Sequence, residues 1–203
     1  MSPLPRSFYA RGAAVVARQL LGHWLLRREA TGWSGGMIVE TEAYLAGDPA
    51  SHGFRGETAR NRAMFGPPGR AYVYFIYGNH WCFNAVCRAP GVPEAVLVRA
   101  LEPIWGVEFL QRRRPVERLR DLTSGPAKLC AALGLDRRQD QADLCAAEAE
   151  VWVAGNPARA AAVRRLGGVV VTTRVGLSRA ADLPLRFLLP GSRFVSRRPA
   201  GLR

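Results

Sequence analysis

The chain has 203 residues, 48% of them hydrophobic, enough for one well-buried core and short for two, so a single domain over 1–203 is expected. Its apolar stretches are interrupted by charge, as at Arg18, and none reaches the roughly 18 residues of a membrane span, so the expectation is a cytoplasmic protein with no membrane partner. The 29 Lys and Arg against 16 Asp and Glu leave a formal charge of +13, the footprint of a polyanion binder, which puts nucleic acid first among partners.

In chain order, Ala14, Val15, Ala17, Leu20, Leu21, Trp24 and Leu25 recur at three and four, predicting an amphipathic helix over 11–26 that packs on a sheet. Residues 37–44 read as a strand bounded upstream by Gly35 and Gly36, and a polar, glycine-bearing loop follows to Gly69. Two aromatic and β-branched runs, 71–77 and 81–87, flank Gly78-Asn79 and form the strongest hairpin signal in the chain. A strand over 96–100 follows, then a helix started by Ser124 and Pro126 and closed by Gly134, a short helix within 140–149, and strands over 169–173 and 187–189. These elements describe a mixed α/β (α+β) domain around a largely antiparallel curved sheet with a protruding hairpin.

Cys82, Cys87, Cys130 and Cys145 are scattered in apolar surroundings without CxxC pairs, and His23, His52 and His80 add no metal-ligand spacing, so buried reduced thiols, no metal and no cofactor are expected. The chemistry centres elsewhere. A period of two places Glu40, Glu42 and Tyr44 on one strand face, with the carboxylates about 6.5 Å apart along the strand, so that one can serve as a general base or both simply line a solvated face. The following loop carries His52, Arg55, Arg60, Asn61, Arg62 and Arg70, suited to phosphates or to an ordinary surface. Of the hairpin aromatics, most belong to the core, but Tyr77 beside the turn is placed to wedge into a base stack.

The segments Val39-Glu-Thr-Glu-Ala-Tyr44, Arg60-Asn-Arg62 with Met64-Phe65, Tyr72-Val-Tyr74 leading to Ile76-Tyr-Gly78, Val98-Arg-Ala-Leu-Glu-Pro103, Ser124-Gly-Pro-Ala-Lys-Leu-Cys130 and Arg174-Val-Gly176 together resemble the alkyladenine (3-methyladenine) DNA glycosylases, in family order and over nearly the whole chain. The resemblance implies that Glu42 activates the attacking water, that Arg99 helps position it, and that Tyr44, His52 and Tyr74 sandwich a flipped base. It further implies that Asn84 crowds the exocyclic amine of guanine and that Tyr77 fills the vacated stack. Arg55, Arg60, Arg62 and Lys128 are then candidates for the DNA backbone, and the partner is double-stranded DNA containing damaged purines, bound by a bacterial, nucleoid-associated monomer.

Lys128 is the sole lysine and sits at a helix start better suited to holding a phosphate than to forming a Schiff base, so a monofunctional enzyme is expected. For the family roles to meet, Tyr74 and Asn84 must share a face, which predicts a three-residue connection Gly78-Asn79-His80 with Tyr74 opposite Asn84. Two other classes fit parts of the pattern. One is a non-catalytic nucleic-acid-binding protein; the other is an O-glycosidase on the Glu40 and Glu42 pair, which a +13 surface suits poorly.

Overall fold

The computed structural model describes residues 1–199, so the last four residues of the expected 1–203 domain lie outside it. Its elements in order are α1 (Arg6–Tyr9), α2 (Ala13–Leu20), β1 (Trp24–Arg28), β2 (Trp33–Tyr44), β3 (Ala71–Ile76), β4 (His80–Cys87), β5 (Glu94–Trp105), α3 (Val107–Arg113), α4 (Pro126–Leu133), β6 (Val151–Ala154), α5 (Arg159–Arg165), β7 (Val170–Thr172) and β8 (Arg186–Leu188). The strands form one sheet in the order β3-β4-β5-β2-β1-β6, with β8 joined to β2 and β7 to β8, and every pairing is antiparallel. The mixed α/β, antiparallel expectation holds.

Alternation along the strands decides which face does what. Ala71 and Val73 of β3, Phe83 and Ala85 of β4, Val96 and Val98 of β5 and Val39 and Ala43 of β2 all enter the main core with Ala13, Val16, Ala17 and Leu20 of α2. Each fully buried leucine or valine there contributes about 1.5–3 kcal/mol. Thr41 lies on this side too, and its hydroxyl donates to the Ala17 carbonyl at 2.9 Å. The alternate residues, Tyr72, Tyr74, Asn84, Leu97 and Tyr44, line a cleft on the opposite face. A smaller apolar cluster of Ala63, Met64, Tyr72, Val86 and Ala95 packs the loop before β3 onto that second face.

Three expectations are corrected. The helix predicted over 11–26 stops at Leu20, because Gly22 takes a φ of +84° and the chain then turns back as β1 with Trp24 and Leu25 in it. Gly35 and Gly36 do not bound a strand but lie inside β2: a Cβ on Gly35 would stand 2.1 Å from the Leu25 carbonyl oxygen, and one on Gly36 2.1 Å from that of Glu102. No helix forms within 140–149. Its polar groups serve β3 instead: the Ala71 amide donates to Ala142, the Gln141 amide to Ala71, and the Val73 amide to the Asp140 carboxylate.

The hairpin register is also corrected, by one pair. Ile76 pairs with His80 and Tyr72, not Tyr74, pairs with Asn84; Tyr74 stands opposite Cys82. The connection is Tyr77-Gly78-Asn79, because Tyr77 and Gly78 both take positive φ, +56° and +74°, and turn the chain one residue earlier. A shift by a whole pair conserves parity, so Tyr74 and Asn84 still share a face. Among the described residues no helix is long and apolar enough to cross a membrane. All four cysteines are free thiols, three of them buried and Cys145 half-buried.

Candidate active site

Cross-strand partners share a face, and one row of them crosses four strands: Tyr72 on β3, Asn84 on β4, Leu97 on β5 and Glu42 on β2, continuing to Arg186 on β8. This row carries the cleft, about 840 Å³ of open space with its mouth included, walled by Tyr44, His52, Tyr72, Tyr74, Asn84 and Arg99 and rimmed by Tyr77 and Val175. All the residues expected in the base pocket therefore come together.

Glu40 and Glu42 are wholly buried, which overturns the solvated-face alternative. Two bulges bring them under one cation. Val39 on β2 and Arg99 on β5 lack cross-strand partners between the Ile38–Leu101 and Thr41–Val98 pairs, and the bulge at Arg99 re-aims its guanidinium. Arg99 Nε donates to Glu40 Oε1 at 3.0 Å and a terminal nitrogen to Glu42 Oε2 at 3.2 Å. Burial alone pulls the guanidinium pKa down, but the charges of Glu42 and then Glu40 outweigh it and leave it raised.

The two carboxylates differ in what else they hold. Glu40 accepts four hydrogen bonds: from Arg99, from Arg186 Nε at 2.8 Å, and from the Ser196 amide and hydroxyl at 2.6 and 2.9 Å. Glu42 accepts three, from Arg99, the Tyr44 hydroxyl at 3.0 Å and the Val175 amide at 2.7 Å. At about two lone pairs per oxygen, Glu42 retains an acceptor position on Oε1; the donors on Glu40 crowd onto its Oε1, three against one on Oε2, and of its partners only Arg99 lines the cleft, whereas all three partners of Glu42 do.

The aromatic walls are built on these groups. Burial first, then the charge of Glu42, pushes the Tyr44 hydroxyl pKa up, so it stays protonated and donates to that carboxylate. His52 stands edge-on to Tyr74 with ring centroids 4.4 Å apart, and its Nδ1 shares a 2.8 Å hydrogen bond with the Tyr72 hydroxyl. Packing against these rings, and then the charge of Arg60, lowers the His52 pKa. Asn84 is buried, with its amide nitrogen donating to the Tyr72 carbonyl at 3.0 Å. Tyr77 is the counterexample to burial: it is 81% exposed at the hairpin tip.

The basic candidates are more dispersed. Arg55 is exposed; Arg60 donates to the Phe75 carbonyl at 2.7 Å and so braces the hairpin; Arg62 meets Glu57 at 3.2 Å; Lys128, in the first turn of α4, meets Asp121 at 3.0 Å. Pro126 opens α4, Gly134 closes it at a φ of +61°, and Pro126 and Ala127 reach the cleft. Among the described residues no cluster of His, Cys, Asp and Glu is arranged to hold a metal ion. Sequence reasoning missed Tyr72 as a pocket wall, Arg186 and Ser196 as partners of Glu40, and the Val175 amide on Glu42. A period of two from Tyr74 points to Tyr72; Arg186, Ser196 and the Val175 amide reach the glutamates from distant parts of the chain and leave no local signal of these contacts.

A family model described as methylpurine-DNA glycosylase matches residues 7–193. Similar proteins, provisionally named 3-methyladenine DNA glycosylases, include one from Methanoculleus marisnigri, 50% identical over 96% of this chain and 99% of its own length. Others are one from Carboxydothermus hydrogenoformans, 46% identical over 96% and 99%, and one from Agrobacterium fabrum, 48% identical over 96% and 93%. The matched span takes in both walls of the cleft and the buried carboxylates, and the chain belongs to the methylpurine-DNA glycosylase family, DNA-repair hydrolases that act on N-glycosyl bonds.

Proposed function

We propose that the protein is a monofunctional glycosylase, acting as a monomer, that flips alkylated or deaminated purines out of duplex DNA and hydrolyses the N-glycosidic bond with a water activated by Glu42. The purines are 3-methyladenine, 7-methylguanine, hypoxanthine and ethenoadenine, and the product is an abasic site. One observation carries this reading: the cross-strand row places an aromatic-walled cleft beside a buried carboxylate that keeps one acceptor position open.

A base inside a duplex hides its glycosidic bond, and extruding it costs a few kcal/mol of stacking and pairing. Tyr77 suits the vacated space. An exposed tyrosine with φ of +56° gains nothing for the fold, and such strain is typical of side chains held ready for a partner. Tyr44, His52 and Tyr74 offer ring faces and edges to the extruded base, and a purine cationic from methylation gains cation–π attraction on top of stacking. Asn84 lines the same cleft, which suits it to crowd the exocyclic amine of a guanine.

Glu42 then takes a proton from water through its open Oε1 position as the oxygen attacks the anomeric carbon, while Arg99 and the Val175 amide hold the carboxylate still. Strand scission would need an amine nucleophile. The one lysine is held by Asp121, and the amino-terminal residue is tied through its carbonyl to Trp152 of β6, at the sheet edge opposite the hairpin. The test incubates the protein with duplexes bearing single hypoxanthine, ethenoadenine or 7-methylguanine. Strand breaks should appear only after alkali; breaks without alkali, or none with any lesion, would overturn the proposal.

A further inference from the structure

Two loops line the cleft: the turn after β2, which contributes Ala50 and His52, and the segment after β7, which contributes Val175, Gly176 and Leu177. They are joined beneath Tyr44 by a single buried ion pair. Arg174 donates through both terminal nitrogens to the Asp48 carboxylate, and both side chains are almost wholly excluded from solvent. The same guanidinium donates to the Ala43 carbonyl at 3.1 Å and to the Ala180 carbonyl at 3.3 Å, and it lies 4.8 Å from the centre of the Tyr44 ring. Asp48 in turn accepts the Ala50 amide at 2.9 Å. Each partner is thus within two residues of a cleft wall.

The Arg174 Nε is buried without a partner, so this arginine leaves a polar atom unsatisfied in the core. A site chosen only for stability would avoid that cost. What the arrangement achieves is geometric. Arg174 precedes Val175, whose amide holds Glu42 Oε1, and it packs on the ring whose hydroxyl holds Glu42 Oε2. One planar guanidinium therefore supports two of the three hydrogen bonds that Glu42 accepts, those from the Val175 amide and the Tyr44 hydroxyl. Lysine offers neither the plane nor the fork.

We infer that the Asp48–Arg174 pair is a positioning device that clasps the two cleft loops and aligns Glu42 and Tyr44 for base excision, without touching DNA. This rests on the proposed role of Glu42. The test compares wild type, Arg174→Lys, the double variant Asp48→Asn/Arg174→Gln, which leaves no unpaired buried charge, and Glu42→Gln. Two quantities are read: affinity for undamaged duplex across salt concentrations, and single-turnover excision of ethenoadenine at saturating enzyme.

Both clasp variants should bind undamaged duplex within about twofold of wild type with the same salt slope, yet excise about ten- to hundredfold more slowly, since a misplacement near 1 Å can cost that much. Excision within threefold of wild type in both variants overturns the inference. So does a parallel loss of duplex affinity, which would mark general damage to the fold. Wild-type rates in Glu42→Gln would instead refute the role of Glu42, and the clasp variants would still be judged against wild type.

Discussion

Replacing Glu42 and Glu40 by glutamine, one at a time, separates chemistry from scaffolding on two carboxylates of one strand. In Glu42→Gln the amide must direct its NH₂ either at the Val175 amide or at Arg99 and the Tyr44 hydroxyl, and the hydroxyl can turn to accept. One donor then faces a donor, at about 1–3 kcal/mol of stability. The fold survives, but the proposed base is gone, and excision should fall by roughly 10² or more, about 2.7 kcal/mol of transition-state stabilisation. Glu40→Gln removes the counter-charge of Arg186 and half that of Arg99, both buried, which costs about 3–5 kcal/mol. At a few degrees per kcal/mol for a chain of this size, its Tm should fall by roughly 10 °C, and more than that of Glu42→Gln. Thermal unfolding and single-turnover excision of hypoxanthine, measured on both variants where each is folded, decide it. Excision by Glu42→Gln within a few-fold of wild type refutes the reasoning, as would equal losses of rate in both variants.

Tyr77→Ala should weaken capture of the flipped state, read as altered ethenoadenine emission in the complex, while salt-sensitive affinity for undamaged duplex stays intact; unchanged emission would remove Tyr77 as the wedge. On the role proposed for Asn84, which lines the cleft, Asn84→Ser should raise release of undamaged guanine relative to hypoxanthine, the shorter side chain leaving room for the guanine amine. A third effect follows from His23, whose pKa burial first and Arg159 second lower to about 4, with Nδ1 accepting the Asn156 amide. Its unfolded form takes up a proton near pH 6.5 and its folded form does not, so stability is unaffected above pH 7 and declines as pH falls from 6.5 to 4. The loss is about 2 kcal/mol once partial exposure is allowed for. Urea midpoints should show this decline in wild type and a shallower one in His23→Gln; identical pH dependence in the two would count against it.

Local signals carried much of the fold. Apolar, β-branched and aromatic runs marked β2, β4 and β5, Pro126 and Gly134 bracketed α4, and the aromatic runs around Gly78 marked the hairpin. The failures share a cause. Helical spacing through Trp24 was broken by one glycine at positive φ, and residues 140–149 spend their polar groups on the edge of β3, a demand set by the neighbouring strand. Hairpin register went wrong because the family roles constrain only which face Tyr74 and Asn84 occupy, and faces repeat every two residues; the positive φ of Tyr77, which selects between the permitted registers, is rare for a tyrosine.

The candidate site divides along the same line. That Glu40, Glu42 and Tyr44 share a face follows from a period of two, and both carboxylates do meet one arginine. Which of them remains free to act does not follow from spacing at all. Arg186 and Ser196, 146 and 156 residues away in the chain, hold Glu40 from outside the cleft lining, whereas Val175, 133 residues away, brings a backbone amide of the cleft lining onto Glu42 Oε1. Backbone amides carry no signature in a sequence. Two identical side chains two residues apart are therefore given different surroundings by the strand and loops that fold over them, and the difference lies in which of them has its partners in the cleft lining.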